Sequence, residues 1–393
     1  VWLETILKRH ITGRSVSRMI NMNVEDLLSD GEFYSSYISI IKLEGIMKNG
    51  RKSTISFIKK KSKNLRDEND LLFVNEIKVY KEVFKQFDQL MNVHQDYDDK
   101  LWCDMIGYKP YTTIILENLK LQNYRLADRR TNFLDLSHAQ LVVHSLGRFH
   151  ALGHVLIKQG LLSKADFPYH YIQSGHTFVV NVFQKGIKQF SDVIERHWPT
   201  EWKDIAKRLS QQEVLKKLTD LFATNDDTFL TVCHGDCWTC NIMFKYCPYD
   251  ENIPIALKFL DFQAAHINSY IFDVLHFLHV SVRPELRRTN LDLLLSIYQR
   301  SLQSTLAKYG MEERAPTMQH IHAEAERIQY YCFVMNMLFL PANTTHVNGC
   351  FAINNLHDDC MDGVIYKPEI FKSDKCREIM GPEIHYWLKM GMF

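Results

Sequence analysis

The chain has 393 residues, enough for two lobes or two domains, with 46% hydrophobic and 24% charged residues, an ordinary balance for a globular protein. Lys plus Arg total 47 against 46 Asp plus Glu, and a net charge of +1 gives no overall field to steer the protein toward nucleic acid or an anionic membrane. No apolar run reaches the roughly 18 residues that span a bilayer; "YYCFVMNMLFL" at 330–340 is too short and carries Asn336.

The N-terminal "VWLETILKRHITGR" scatters charges through its apolar residues and has no clean apolar block, so it does not read as a secretory signal. Nine cysteines, an odd number at irregular spacing, are expected to be reduced thiols of a cytoplasmic protein. "FYSSYISIIKLEG" (33–45) and "KSTISFIKKK" (52–61) are rich in Ser, Thr, Ile and aromatics, and Asn49-Gly50 between them predicts a two-residue turn of an antiparallel hairpin. "LLFVNEIKVYKEVFKQF" (71–87) places Phe73, Ile77, Tyr80 and Phe84 at helical spacing. "YTTIILENL" (111–119) predicts a short strand. Helices dominate from there: 135–160 with an Asp or Ser cap and a terminal Gly, then 201–222, 291–310 and 319–340. Strand-like "TFLTVC" (228–233) and "IALKFLDF" (255–262) interrupt them, with "CPYDENIP" as a hairpin loop. The pattern predicts an α+β chain with a small β-rich lobe at 1–118, carrying one main helix, and a larger, mostly helical lobe at 119–393. The connection lies near Glu117–Lys120.

The richest chemistry lies in "LTVCHGDCWTCNIMFKY" (230–246), where an apolar strand exits into His234-Gly235-Asp236 and Asn241 follows Asp236 by five positions. H-x-D-x-x-x-x-N is the spacing of a phosphotransfer loop. A carboxylate such as Asp236 can orient an attacking hydroxyl and take its proton, and Asn241 offers a neutral oxygen to a hard cation such as Mg²⁺. His234 reads as an orienting residue of the loop. Asp261, at the strand end in "KFLDFQ", supplies a second metal ligand, with Gln263 where protein kinases carry Gly. The same segment holds Cys237 and Cys240 as a CxxC, the start of a zinc or redox motif, but no second ligand pair follows and the spacing encloses Trp238. Small buried apolar thiols are the better expectation.

Ahead of this loop a nucleotide lobe needs a phosphate-covering turn, a strand Lys and a helix Glu. "SDGEFYSSYISI" (29–40) offers Gly31 with Ser35 or Ser36, Lys59 ends the apolar part of "ISFIK", and Glu76 follows 17 positions later. Lys60 and Lys61 adjoin Lys59, leaving the register open by one or two residues. Asp273 is expected first to cap a helix starting near Phe272 and second to support the site, and His144, His150, His154, His276 and His279 are expected to be core histidines.

Taken together, "HGDCWTCNIMF" resembles the H-G-D-x-W-x-x-N-x-x-F signature of the ecdysteroid kinase-like family, within the CHK kinase-like group. "FLDFQ" with "FDVLHFL", "GEFYSS", "FVNEIKVY", "ILENL" and "LGRFHA" resemble further family segments in order, from about residue 29 to 280. The resemblance implies a protein-kinase-like two-lobe fold related to aminoglycoside and choline kinases. It implies ATP and Mg²⁺ as cofactors and a small-molecule alcohol as acceptor, in a family associated with ecdysteroid phosphorylation and with detoxification by phosphorylation. Carried over by position, Asp236 is the base, Asn241 and Asp261 hold the metal, and Lys59 contacts phosphate with Glu76 as its ion-pair partner. Gly31, Ser35 and the linker residue Glu117 are further nucleotide contacts. Phe33 where the family often has Asn, "KKKS" in place of Lys-x-x-Pro, and Cys240 before Asn241 depart from the pattern. The alternative is a non-catalytic pseudokinase that binds a small molecule. Acceptor identity and oligomeric state have no signature in the sequence.

Overall fold

The computed structural model describes residues 2, 5–6, 16–26, 36–62, 71–127, 133–167, 180–225, 227–343 and 366–393. The first lobe is a five-stranded antiparallel sheet of β1 (Val16–Asp26), β2 (Ser36–Met47), β3 (Lys52–Ser62), β4 (Met105–Lys109) and β5 (Thr113–Glu117), in the order β1-β2-β3-β5-β4. The Asn-Gly turn joins β2 to β3, in a connection (residues 48–51) longer than the two-residue turn expected: Gly50 has φ +80° and its N–H donates to Met47 O at 2.8 Å. Pairing Ser39 with Lys59 and Ile38 with Lys60 settles which lysine faces which way, because successive strand residues point to opposite faces. Lys59 shares a face with Phe57, which joins Ile41, Leu43 and Ile115 in a small core of its own. Lys60 shares the other face with Ile58.

A helix crosses that other face as α1 (Leu71–Lys78), a π-turn at Val79–Val83, and α2 (Phe84–Val93). After β6 (Tyr124–Leu126), the second lobe is built on α3 (Leu136–Lys158), which is capped by Asp135 accepting from His138 N. It continues through α4 (Gly186–His197), α5 (Lys203–Ser210), α6 (Val214–Leu221), β7 (Leu230–Cys233), β8 (Ile242–Cys247), β9 (Asp250–Phe259) and β10 (His266–Ser269). The remaining helices are α7 (Ile271–Ser281), α8 (Pro284–Lys308), α9 (Met318–Arg327), α10 (Gln329–Phe339), α11 (Glu369–Lys372) and α12 (Asp374–Lys389). β8 lies between β6 and β9, and β7 pairs with β10. One apolar core runs through α1, α2, α3 and the helices behind them, with Phe73, Phe87, Phe149 and Phe183 almost fully enclosed. Among the described residues no helix is long and apolar enough to cross a membrane.

Several boundaries differ from the sequence expectation. The helix expected at 201–222 breaks between α5 and α6, where Gln184 donates to Gln212 O at 2.8 Å and accepts from Val214 N at 3.0 Å. The helix expected at 319–340 breaks at Ile328, a fully buried residue whose φ of −98° and ψ of 16° leave the helical region. Helix α8 starts at Pro284, a residue suited to a first helical position. The hairpin between β8 and β9 is tighter than "CPYDENIP", with strands reaching Cys247 and Asp250. Strands β1, β4, β6 and β10 and helices α4, α11 and α12 had no counterpart in the sequence reading. Helix α12 holds Gly381-Pro382 in its interior, a pair that ordinarily ends or kinks a helix.

Candidate active site

The end of β7 turns sharply at Gly235. Its φ of +81°, and the 2.1 Å that a Cβ would leave to Ala264 O, allow only glycine there. On either side of it, His234 and Asp236 are held by backbone. The His234 ring accepts from Asp236 N on Nδ1 at 3.2 Å and donates from Nε2 to Leu260 O at 2.8 Å. Burial lowers its pKa below the ordinary value against the pull of Asp273, so His234 is a neutral strut with both ring nitrogens engaged. Leu260 N donates in turn to Asn241 O at 2.8 Å. Both backbone groups of Leu260 are therefore bonded to the loop that carries Asp236 and Asn241, which fixes the position of the next residue, Asp261. Asp261 itself adopts the left-handed region at φ +63°, a conformation that costs a non-glycine residue about 1–2 kcal/mol.

Asp236 faces inward from this loop with 31% of its side chain open. The Asn241 amide donates to its Oδ2 and to its backbone O, each at 2.9 Å, which leaves the Asn241 amide oxygen for another partner. Burial, reinforced by the Asp261 charge, pushes the Asp236 carboxyl up to about 7; Asn241 and Lys60 oppose the rise and Asp273 adds to it. Across the cleft, Lys60 Nζ contacts Glu76 Oε2 at 2.6 Å and Asp261 Oδ1 at 2.5 Å. Burial alone would lower the lysine's pKa, but the Asp261 and Glu76 carboxylates raise it. The structure thus gives Lys60, not Lys59, as the partner of Glu76. Lys59 lies on the opposite sheet face, and the two are separated by the period of two along a strand.

This register carries a stability prediction. Lys60→Met leaves two carboxylates near one another without their cation, so unfolding free energy is expected to fall by about 3–5 kcal/mol. Lys59→Met is expected to change it by less than about 1 kcal/mol. Urea denaturation of the two variants separates these outcomes.

The remaining sequence candidates are placed as follows. Glu117 closes β5 with its carboxylate occupied, Oε1 accepting from Asp104 N at 3.0 Å and Oε2 from Gln122 Nε2 at 2.9 Å. Gly31 and Ser35 lie outside the described residues. Cys237 is fully enclosed, and burial with the Asp273 and Asp236 charges pushes its thiol far up. Among the described residues no group of three or more His, Cys, Asp or Glu side chains could hold a metal ion. The oxygen donors Asp261 and Asn241 are instead a set that fits Mg²⁺, which takes few protein ligands and completes its shell with water and phosphate.

Two residues that the sequence placed first in structural roles bear directly on the loop. Asp273 does not cap α7, whose N-cap is Tyr270. Its buried carboxylate reaches back to accept from His234 N at 2.5 Å, Gly235 N at 2.9 Å and His150 Nε2 at 3.1 Å, and His150 Nδ1 pairs with Tyr298 Oη at 2.9 Å. His276 lies 3.9 Å from Asp236 Oδ1 with Nδ1 on Tyr331 Oη at 3.1 Å. Burial lowers its pKa to about 4, so the ring beside Asp236 is neutral. Neither residue has a local sequence signal, because each partner lies on another element.

A model of the ecdysteroid kinase-like family matches residues 30–311, which include the sheet from β2 onward, the Lys60–Glu76 pair, the 234–241 loop and Asp261. The chain belongs to the ecdysteroid kinase-like family. Among solved structures, an aminoglycoside 2′-phosphotransferase IIIa point mutant in its GDP complex is 11% identical, with 98% of this chain and 97% of that chain covered at a TM-score of 0.37. A search of curated proteins gave no match. The α+β arrangement of an antiparallel lobe followed by a helical lobe is the kinase-like organisation expected of a family member.

Proposed function

We propose that the protein is an ATP-dependent phosphotransferase acting on a hydroxyl of a small molecule, with ecdysteroids and xenobiotic conjugates as the acceptor classes that its family suggests. The observation that carries this reading is the convergence of Lys60, Glu76, Asp261, Asn241 and Asp236 at the junction of the two lobes. Asp261 and Asn241 would hold Mg²⁺, which when bound neutralises charge on the phosphate oxygens. Lys60, kept protonated by its two carboxylates, contacts phosphate. Asp236 orients the acceptor hydroxyl and takes its proton as the new O–P bond forms and the bond to the bridging oxygen of ADP breaks. A carboxyl displaced to about 7 is suited to that transfer near neutral pH. His234 and Asn241 hold it in place, so most of the rate enhancement comes from positioning.

Two measurements test the reading. At a hundredfold excess over its Kd, Mg-ATP is expected to add about 2.7 kcal/mol of stability, seen as a rise in Tm. Steroid, glycoside and amino-alcohol acceptors are then screened for ADP release and phosphorylated product. A Tm unaffected by Mg-ATP together with no ADP release sinks the proposal. A rise in Tm with no product from any acceptor favours the non-catalytic binder instead.

A further inference from the structure

Helix α1 belongs to the first lobe by chain order and meets the sheet through Glu76 and Lys60, yet it also makes contacts with the second. The Asn75 amide nitrogen spends both hydrogens on the turn that follows Asp261, donating to Gln263 O at 3.0 Å and to Ala265 O at 2.8 Å. Phe262, at the centre of that turn, is met edge-on by Tyr80 at 5.9 Å and Phe84 at 4.6 Å from the helix side. From the second lobe it is met by Phe149 at 5.9 Å and His234 at 4.7 Å. One turn beyond Asn75, Lys78 bonds Asp166 O, lies 3.6 Å from Asp166 Oδ1, and sits 5.5 Å from the Phe167 ring centroid. The buried residues of α1 and α2 share one core with α3 and with Ile114 and Leu116 of β5, whereas Ile41, Leu43, Phe57 and Ile115 on the far side of the sheet form a separate core.

We propose that Asn75 is a positioning residue of the site: it fastens the helix bearing Glu76 to the turn bearing Asp261, so that the two carboxylates keep one spacing as a unit of the second lobe. Lys60 arrives from the sheet and meets both at once. Without the two Asn75 bonds, Glu76 and Asp261 drift relative to each other and Lys60 cannot satisfy both, which weakens the phosphate and cation end of the nucleotide site. The kinetic consequence rests on the phosphotransfer reading above, while the tether itself rests only on the geometry.

Asn75→Asp, which keeps size and shape but loses both donors, and Asn75→Ala test the tether in the full chain. Both are expected to raise KM for Mg-ATP at least tenfold and to lower kcat, with KM for the acceptor within twofold of wild type. A role confined to folding would lower Tm and the amount of active protein but leave KM for Mg-ATP unchanged. Amide hydrogen exchange over Asp261–Ile267, measured without nucleotide, is expected to speed up in both variants. If KM for Mg-ATP stays within twofold of wild type, or exchange over that turn is unchanged in both variants, the proposal is overturned. If wild-type protein neither binds nor turns over Mg-ATP, the phosphotransfer reading fails, and the exchange comparison still decides the tether.

Discussion

Asp236→Asn protein is expected to lose about 10²–10⁴-fold in turnover while its Mg-ATP affinity stays within a few-fold of wild type. The substitution is nearly isosteric, and an amide at this position still offers an oxygen to Asn241 Nδ2, which donates to Oδ2 and to the backbone O at 2.9 Å. Loop geometry is therefore preserved. The variant loses the ability to accept a proton, along with a negative charge that burial and Asp261 already disfavour, so its stability is expected to equal or exceed that of wild type. Steady-state ADP release, with thermal shift by Mg-ATP as the binding control, reads both quantities. Turnover within tenfold of wild type would mean that the acceptor hydroxyl is activated by another group.

The second large effect concerns stability. Asp273→Asn is expected to cost about 3 kcal/mol and to abolish activity with it. The native carboxylate is 1% exposed and accepts from three donors, His234 N, Gly235 N and His150 Nε2. An Asn there offers one oxygen and turns an NH₂ group toward a donor, so at least one buried N–H loses its partner. Because the two backbone donors are the amides of His234 and of Gly235 itself, the turn that presents Asp236 loosens first. The wild-type pH dependence follows from the same bonds. Burial would raise the Asp273 carboxyl, but the hydrogen bond and charge of His150 and the Gly235 N–H outweigh it and hold the group at about 2, below its ordinary value of 3.8. A carboxyl depressed in the folded state adds stability that is fully present above about pH 4 and is lost as the pH falls through about 2. That difference amounts to roughly 2 kcal/mol. Urea midpoints of wild type are therefore expected to fall across that acid window, with a shallower fall in Asp273→Asn. Parallel slopes would exclude Asp273 as the source.

Much of the architecture is legible in local sequence because it is locally caused. Asn49-Gly50 forces a turn, Asp135 caps α3 through a neighbour three residues away, and a β-strand running into His-Gly-Asp presents its loop by chain direction alone. The same holds for the spacing of Asp236 and Asn241, which sit on one loop. Residues whose role depends on a partner elsewhere were not legible. Three consecutive lysines give no alternation by which to tell inner from outer face, and only the pairing of Ile38 with Lys60 selects Lys60. Amphipathic spacing continues across Gln211–Glu213 and Ile328 because both flanking helices pack on the same core, so the breaks are invisible until Gln184 and the buried Ile328 are placed.

The sequence by itself therefore determined the α+β class, the main hairpin and helices, and the residue types that meet at the lobe junction, since turns, caps and loop spacing act over a few residues. Tertiary structure decided the strand register that turns Lys60 inward, the reach of Asp273 across 38 residues to the Gly235 amide, and the reach of Asn75 across 188 residues to the turn after Asp261. These are hydrogen bonds and ion pairs between distant segments, whose free energy exists only after the chain has closed those loops.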